Sequence, residues 1–383
     1  MTQILSETNL DYSDILIKPK MGNNCNSRKD VNLIREYKFK RGQIRTGLGI
    51  FNANMATVGN FAIAKKLLKA GMFATLHKFY TAEEIINFMK ECQSEKIDYR
   101  NLFITIGIRH WPEEFSKLKE IEDSGVWLKE NICIDAPNFY IPEAYRILKQ
   151  IRENYLDAVI MCGNIASSDI CHKLLEYADI LKVGIGSGAV CTTRKMTGCG
   201  VPMVSNILEC ADVIHSVGGM ICADGGITEV GDICKAFCLN SDFVMIGGMF
   251  AGTDEAEGEV ITRCIRLNEY SFDSVWDIPN QKLIDTPDKP MFDYKKYKLY
   301  YGMSSKLANN KFAGGMSNYK ASEGREVLIP YTGSVNEILQ DIRGGIASAC
   351  TYIGATSVKH MSKCATIIKV NNTINKIFEK YDK

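Results

Sequence analysis

ILKVGIGSGAVCTTRKMTG, residues 180–198, is a short apolar run that ends in a glycine-rich loop carrying Cys191. The run has the length and composition of a buried strand, and its glycines begin where the strand would end. In α/β barrels the active site lies on the loops that follow the carboxyl ends of the strands. This stretch therefore predicts a parallel α/β fold and the place of its chemistry.

Seven further apolar runs of the same kind flank this one. They are LGIFNAN (48–54), MFATLH (72–77), LFITIG (102–107), NICIDA (131–136), AVIMCGN (158–164), GMICADGG (219–226) and FVMIGG (243–248). Segments with helical periodicity lie between them, for example residues 61–71, 82–93 and 168–178. Eight alternating strand and helix units predict an α/β protein with one TIM (β/α)8 barrel domain over residues 1–383.

Polar or small residues stand at the ends of these runs. They are Asn54, His77, Asp135, Asn164, Gly186, Asp224 and Gly248. Because the carboxyl ends of barrel strands meet at one face, we expect these side chains to converge there. Residues 263–295 contain Pro279, Pro287 and Pro290, which predict an irregular surface excursion; we expect 263–322 to form an excursion and flap within the domain.

Composition excludes several classes of function. Lysine and arginine total 46 against 45 acidic residues, and no basic stripe alternates with aromatics, so we expect no nucleic-acid partner. The N-terminal residues lack a signal-peptide pattern, and no stretch reaches the roughly 20 apolar residues of a membrane span. The 14 cysteines show no paired metal or disulfide spacing. These features predict a cytoplasmic protein with reduced thiols and no membrane association.

Gly184, Gly186 and Ala189 also satisfy the G-x-G-x-x-G/A pattern of dinucleotide-binding folds. That fold needs an amphipathic helix directly after the glycines, whereas residues 191–202 read CTTRKMTGCGVP. No acidic residue ends a strand about 20 positions further on, as the pattern also requires. The glycine loop is therefore better explained by a barrel active site.

The motifs of this sequence resemble those of the IMP dehydrogenase and GMP reductase family. The matching segments are LDYSDILIKPK (10–20), NANMATVGNFAIA (52–64), TLHKFY (75–80), GIGSGAVCTTRKMTG (184–198), ADGGITEVGDICKAF (223–237), DFVMIGGMFAG (242–252), YGMSSK (301–306), YKASEGRE (319–326) and RGGIASACTYIGA (343–355). Family dehydrogenases carry a regulatory CBS insert after the second strand, which is absent here, and a glutamine at the Glu323 position. They also have an Arg-Tyr pair on a flap, which residues 310–324 lack. The resemblance is therefore to the reductase branch.

The resemblance implies NADPH-dependent reductive deamination of GMP to IMP and ammonia through a covalent thioimidate. Cys191 is the candidate nucleophile, since thiolate attack divides hydride transfer to an aminated purine carbon into two easier steps. By resemblance, Thr193 and Glu323 transfer the proton that the departing ammonia needs.

The family also assigns binding roles. Substrate positions are Asp224, Gly225, Gly226, Gly247, Gly248, Gly302, Met303, Ser304, Lys320, Ala321, Ser322 and Gly324. Cofactor positions are Ser27, Arg28, Lys78, Asp135, Ala136, Pro137, Ile185, Gly186, Met303, Tyr319, Lys320, Ser348, Ala349, Cys350 and Thr351, with Ser27 and Arg28 supplied by a neighbouring subunit. A potassium ion is expected on Gly186, Gly188, Cys191 and Arg194. Family members form tetramers, so a homotetramer or octamer is expected.

The chain departs from the reductase pattern at five positions. Ala56 replaces an aspartate, Phe139 a glycine, Ser187 a proline, Ala189 a serine and Lys320 an arginine. Two alternatives stay open: an IMP dehydrogenase without its regulatory insert, and a non-catalytic barrel that binds purine nucleotides. Oxidation of IMP with NAD would support the first, and a Cys191→Ala variant indistinguishable from the wild type would support the second.

Overall fold

The computed structural model describes residues 7–21, 25–128, 130–266, 274–277, 282–285, 292–315, 318, 321–371 and 373. Its centre is a parallel sheet of eight strands: β1 Ile50–Asn52, β2 Ala74–Thr75, β3 Leu102–Ile106, β4 Asn131–Asp135, β5 Val159–Ile165, β6 Ile180–Val183, β7 Met220–Asp224 and β8 Phe243–Ile246. The strands are ordered β1-β8-β7-β6-β5-β4-β3-β2. Each coincides with one of the eight apolar runs, which confirms the predicted TIM barrel.

Strands β1 and β2 close the barrel with few main-chain bonds. Leu48 and Met72 form a parallel bridge, and the Phe73 N–H donates to the Ile50 carbonyl at 3.0 Å. The Asn52 side chain supplies further bonds to Thr75. At this seam the Asn52 side chain thus replaces some of the main-chain hydrogen bonds that two paired strands would form.

A helix follows each strand and covers the outside of the sheet. These helices are α1 Phe61–Lys69, α2 Ala82–Ser94, α3 Trp111–Asp123, α4 Pro142–Asn154, α5 Cys171–Leu174, α6 Met203–Ser216, α7 Val230–Cys238 and α8 Val335–Ile353. Asn60 caps α1 by accepting from the Ile63 N–H at 2.9 Å, an arrangement typical of helix N-termini. Helix α5 is shorter than the periodicity of residues 168–178 predicts.

Several short helices lie outside this ring. They are the four α-helical turns Thr193–Thr197, Gly248–Ala251, Lys306–Phe312 and Met361–Cys364, and the 3-10 turns Tyr12–Asp14, Arg28–Asp30, Ser168–Ile170 and Val358–His360. Among the residues described, no helix is both long and apolar enough to cross a membrane.

Aromatic side chains fill the barrel towards the amino ends of its strands. The Phe51 ring lies 5.2 Å from both Phe73 and Phe103, measured between ring centroids. Below them a hairpin of Arg35–Lys38 and Ile44–Gly47 places Tyr37 in a stack on Phe243 at 4.4 Å. This plug closes one end of the barrel, so the opening that can admit a ligand is at the carboxyl ends.

After β8 the chain forms an antiparallel sheet of Val260–Arg266, Phe292–Tyr301 and Glu326–Pro330, and Ser274–Asp277 pairs with Lys282–Asp285. The expectation that residues 263–295 are irregular is therefore wrong where they are described. The chain here is rich in β-branched and aromatic residues, which suit a ladder, whereas the three prolines lie outside the described residues. One further pairing joins Ile15–Ile17 to Ile367–Lys369.

Candidate active site

Cys191 lies on the loop after β6, in a chain of side-chain contacts. Its thiol donates to Thr193 Oγ1 at 3.2 Å, and the Thr193 hydroxyl donates to Glu323 Oε2 at 2.7 Å. Main-chain pairing holds the partners together, since the Thr192 N–H donates to the Glu323 carbonyl at 2.8 Å and Cys191 bridges to Gly324. The structure thus brings the three predicted catalytic residues into one hydrogen-bonded series.

Cys191 differs from most of the other cysteines in its surroundings. Ten of the 14 thiols are buried, whereas Cys191 is half-buried beside polar side chains. Burial raises the pKa of the Cys133 thiol to about 11 and that of the Cys234 thiol to about 12. A thiolate nucleophile needs access and polar neighbours, and Cys191 has both.

The glycines of this loop permit close approaches. A Cβ on Gly184, whose φ is +145°, would collide with the carbonyl of Asp224. Gly186 has φ +77° and lies under the Arg194 side chain, which a Cβ would meet at 2.7 Å. Only glycine fits such positions, so the loop can fold back over the end of β7.

The two predicted phosphate loops lie side by side. Residues Asp224 and Met245 are register partners on β7 and β8, and Gly225–Gly226 and Gly247–Gly248 follow those strands. Gly225 and Gly226 have φ of +96° and +78°. Gly248 has open space where a Cβ would stand. Exposed backbone amides at such turns bind anions well.

The other predicted substrate segments meet at the Cys191 loop. The Gly302 N–H donates to the Arg325 carbonyl at 3.1 Å, and the Ser322 hydroxyl donates to the Ser304 carbonyl at 3.3 Å. Ala321 is exposed and adjoins them, and Met303 Sδ lies 3.3 Å from the Ala56 nitrogen. Tyr319 and Lys320 lie outside the described residues.

Most of the strand-end residues converge as expected, around a side chain that sequence reasoning missed. Lys182 on β6 has only 1% of its side chain exposed; its Nζ donates to Asn54 Oδ1 and Asp135 Oδ1, both at 3.0 Å, and lies 3.7 Å from Asp224 Oδ2. The Asn164 amide donates to Asp224 Oδ2 at 2.8 Å. We call Lys78, Asn54, Asp135, Asn164, Lys182 and Asp224 the mouth network. The sequence feature that could have identified Lys182 is a lysine inside the apolar run ILKVGIG.

Charges in the mouth network shift one another. Burial alone would raise the pKa of the Asp135 carboxyl, but Lys182 and Lys78 outweigh it and hold that pKa well below its usual range. Burial would likewise lower the pKa of the Lys182 ammonium, and Asp135 and Asp224 reverse the shift and raise it. Both groups therefore stay ionised across the neutral pH range.

The predicted cofactor residues form two groups. At the mouth, Lys78 Nζ donates to Asp135 Oδ2 at 3.0 Å, Ala136 and Pro137 follow β4, and Ile185 and Gly186 follow β6. Both charged side chains are about one quarter exposed. The second group lies on the outer helix layer, where the Arg28–Asp30 turn, capped by Ser27, contacts α8. Its other members are Ser348, Ala349, Cys350 and Thr351 on α8.

The predicted cation residues lie on one tight stretch of backbone. The Cys191 N–H donates to the Gly188 carbonyl at 2.9 Å, and the Gly198 N–H donates to the Arg194 carbonyl at 3.1 Å. Each carbonyl keeps a second lone pair, and carbonyl oxygens suit a hard monovalent cation. No cluster of three His, Cys, Asp or Glu side chains able to hold a metal occurs among the described residues.

The departures from the family pattern have local consequences. Ser187 Oγ donates to the Asp224 main-chain carbonyl at 3.0 Å, a bond that proline lacks. The Ala189 carbonyl accepts from the Arg325 guanidinium at 2.7 Å, and Phe139 is fully buried. Ala56 is buried beside Tyr301, where an aspartate would need a partner for its charge.

The sequence matches the family described as IMP dehydrogenase / GMP reductase domain over residues 9–271 and 285–376. A GMP reductase of Vibrio campbellii is 39% identical over 99% of both chains. The GMP reductase of Ascaris suum is 38% identical over 100% of this chain and 99% of its own. That of Caenorhabditis elegans is 39% identical over 100% and 98% respectively.

Proposed function

The chain belongs to the IMP dehydrogenase / GMP reductase family, and we propose from that premise that it is a GMP reductase. The reaction would be the NADPH-dependent reductive deamination of GMP to IMP and ammonia. The observation that carries the proposal is the series Cys191 Sγ, Thr193 Oγ1 and Glu323 Oε2, with contacts of 3.2 and 2.7 Å. A nucleophile beside a proton-transfer pair is what this reaction requires.

The series accounts for each bond that changes. The Cys191 thiolate attacks C2 of the guanine base, and the bond from C2 to the exocyclic amine breaks. An amine leaves readily only when it is protonated, and the Thr193–Glu323 pair provides that proton. Hydride addition to C2 of the thioimidate and cleavage of the carbon–sulfur bond then release IMP and the thiol. One GMP, one NADPH and two protons become IMP, NADP⁺ and ammonium.

The remaining residues hold the nucleotide in this proposal. Backbone amides of Gly225–Gly226 and Gly247–Gly248 bind its phosphate, and Asp224 binds the ribose hydroxyls. Residues 302–304 and 320–324 would contact the base. In this proposal the Cys191 sulfur would lie between the residues that bind the phosphate and ribose and those that contact the base. The Cys191 loop would then serve both nucleotide binding and nucleophilic attack.

The mouth residues fit a nicotinamide cofactor, because Lys78 and Asp135 present a partly exposed polar pair next to the glycine loop. NADPH, when bound, supplies the hydride. Ile185 and Gly186 and residues 135–137 would orient its nicotinamide end. Carbonyls of Gly186, Gly188, Cys191 and Arg194 would hold potassium, whose role is to stabilise the fold of the Cys191 loop.

The assembly and location belong to the same proposal. Ser27 and Arg28 lie on the outer layer, so in a homotetramer or octamer they would serve the site of a neighbouring subunit. We propose one barrel domain, with residues 263–322 as its excursion and flap, acting in the cytoplasm.

The test follows NADPH absorbance with the purified protein, GMP and potassium, in parallel with IMP and NAD. We expect NADPH consumption matched by IMP and ammonium, and its loss in Cys191→Ala; Cys199→Ala, an exposed thiol further along the loop, serves as the matched control. Turnover only with IMP and NAD would identify a dehydrogenase instead. No turnover in either assay would support a nucleotide-binding barrel.

A further inference from the structure

Lys182 is a buried cation that none of the proposed steps uses. It stands on β6 between Leu181 and Val183, with 1% of its side chain exposed. Removing an ammonium group from water is costly unless oxygens surround it. Asn54 and Asp135 supply two oxygens at 3.0 Å, and Asp224 supplies a third at 3.7 Å.

Besides Lys182, each of the two carboxylates has a second partner, which donates a hydrogen bond to it. Asp135 accepts from Lys78 at 3.0 Å, and Asp224 accepts from Asn164 at 2.8 Å. The same Asn164 amide donates to the Gly184 carbonyl at 2.8 Å, where the Cys191 loop begins. Two cations and two anions therefore balance in one continuous series, which crosses the mouth of the barrel with Lys182 at its centre.

We propose that Lys182 is a positioning residue that holds Asp135 and Asp224 in fixed relation, so that one buried ammonium sets the geometry of both the cofactor and the nucleotide subsites. The inference rests on the proposed function, which assigns Asp135 to NADPH and Asp224 to GMP. Lys182 itself touches neither ligand in this proposal. It acts through the two carboxylates.

A second buried ion pair, beside the start of β6, shows what a merely structural pair looks like. Arg152 lies 2.6 Å from Asp179, which directly precedes β6, and the two side chains are only 6% and 1% exposed. The carboxylates bound to Lys182 are 23% and 20% exposed. Arg152 therefore bonds a carboxylate that is buried in the protein. Lys182 contacts two carboxylates that are partly exposed at the mouth of the barrel.

Removal of Lys182 would change the titration of Asp135. The groups that face this carboxyl directly are Lys78, Lys182 and Asn54. Further titratable groups nearby are Asp224, which lies on the other side of Lys182, the Cys133 thiol, and the Glu114–Lys117 pair next to Lys78. Lys182 is the stronger of the two cations that lower the pKa of Asp135. Without it, burial raises that pKa, so the carboxyl takes up a proton as the pH falls.

The experiment measures binding by titration calorimetry of the full chain, with GMP and NADPH added separately between pH 5 and 8. We expect Lys182→Met to weaken both ligands about tenfold or more, and its affinity for NADPH, relative to that of the wild type at the same pH, to fall further toward pH 5. The matched control Arg152→Met should lower the melting temperature and leave both affinities within about twofold.

Lys182→Met with wild-type affinities for both ligands at every pH would overturn the proposal. If the single variant fails to fold, adding Asp135→Asn to Lys182→Met removes the excess negative charge and should restore folding. That double variant should still bind GMP about tenfold more weakly, because Asp224 has lost its ammonium; wild-type GMP affinity would count against Lys182. A wild type that binds GMP yet consumes no NADPH would refute the proposed function and leave the binding comparison intact.

Discussion

Glu323 shows how much a single side chain depends on its contacts. It follows a stretch of polar and small residues in which a carboxylate is ordinarily solvated, and by itself it carries no functional signal. Its Oε2 accepts from Thr193 at 2.7 Å, and its main-chain carbonyl accepts from Thr192 at 2.8 Å. Both bonds are to the residues directly after Cys191, which supports the proposed role of this carboxylate in proton transfer.

Glu323→Gln keeps the shape of the side chain and removes its ability to exchange a proton. We expect kcat for GMP reduction to fall by roughly 10²- to 10⁴-fold, the usual contribution of general acid–base catalysis, with little change in the KM for GMP. The measurement is the NADPH absorbance assay. Glu337→Gln, in the first turn of α8, should leave kcat unchanged. An equal loss in both variants, or none in Glu323→Gln, would remove Glu323 from the mechanism.

At the scale of elements, three segments meet in a main-chain junction around Cys191. The Arg325 N–H donates to the Val190 carbonyl at 3.0 Å, and the Gly302 N–H donates to the Arg325 carbonyl. A Cβ on Gly324 would meet the Ser305 nitrogen at 2.7 Å. A Cβ on Gly302 would likewise meet the Val190 carbonyl at 2.8 Å, so the segments can approach this closely only because glycine stands at both positions.

Gly324→Ala should separate these segments and displace Glu323 from Thr193. We expect at least a tenfold loss of kcat and a lower melting temperature, since 2.7 Å to a backbone atom is well inside van der Waals contact. Gly344→Ala is the matched control, because Gly344 lies within α8 and nothing lies within 4 Å of its added Cβ. Alanine there should be neutral or stabilise the protein by up to about 1 kcal/mol. Normal activity in Gly324→Ala would show that the segments can move apart without displacing Glu323, and would contradict this prediction.

At the scale of the whole molecule, the barrel depends on the seam between β1 and β2. Asn52 Oδ1 accepts from the Thr75 N–H at 2.9 Å, and its Nδ2 donates to the carbonyls of Thr75 and Val58 at 2.8 and 2.9 Å. The Thr75 hydroxyl donates back to the Asn52 carbonyl at 2.6 Å. Both residues are fully buried, so no water can replace these bonds.

Asn52→Leu would leave one N–H and two carbonyls at the seam without their partner. Each unsatisfied buried group costs about 1–3 kcal/mol, so we expect a loss of roughly 3 kcal/mol or more in the free energy of unfolding. Calorimetric melting measures it. Asn154→Leu, at the exposed end of α4, should stay within about 0.5 kcal/mol of the wild type. A melting temperature unchanged in Asn52→Leu would mean that the main-chain bonds between β1 and β2 are enough to close the barrel.

The sequence by itself determined the order and type of the strands, because each barrel strand is a local apolar run ended by glycine or a polar residue. It also placed Cys191 on a loop at the carboxyl ends of the strands, and the strand-end residues Asn54, Asp135, Asn164 and Asp224 together. These features follow from local hydrophobicity and from the rule that parallel strands point the same way.

Only the tertiary structure decided which side chains touch. Thr193 meets Glu323 across 130 positions, and Lys182 turns inward to Asp135 rather than outward to the helices. Residues 263–266 pair with residues 292–295 in an antiparallel sheet, although the prolines of 263–295 predicted irregular chain. The reason is physical: a shift of one residue in strand register turns every side chain to the opposite face, and register is set by pairing between distant segments.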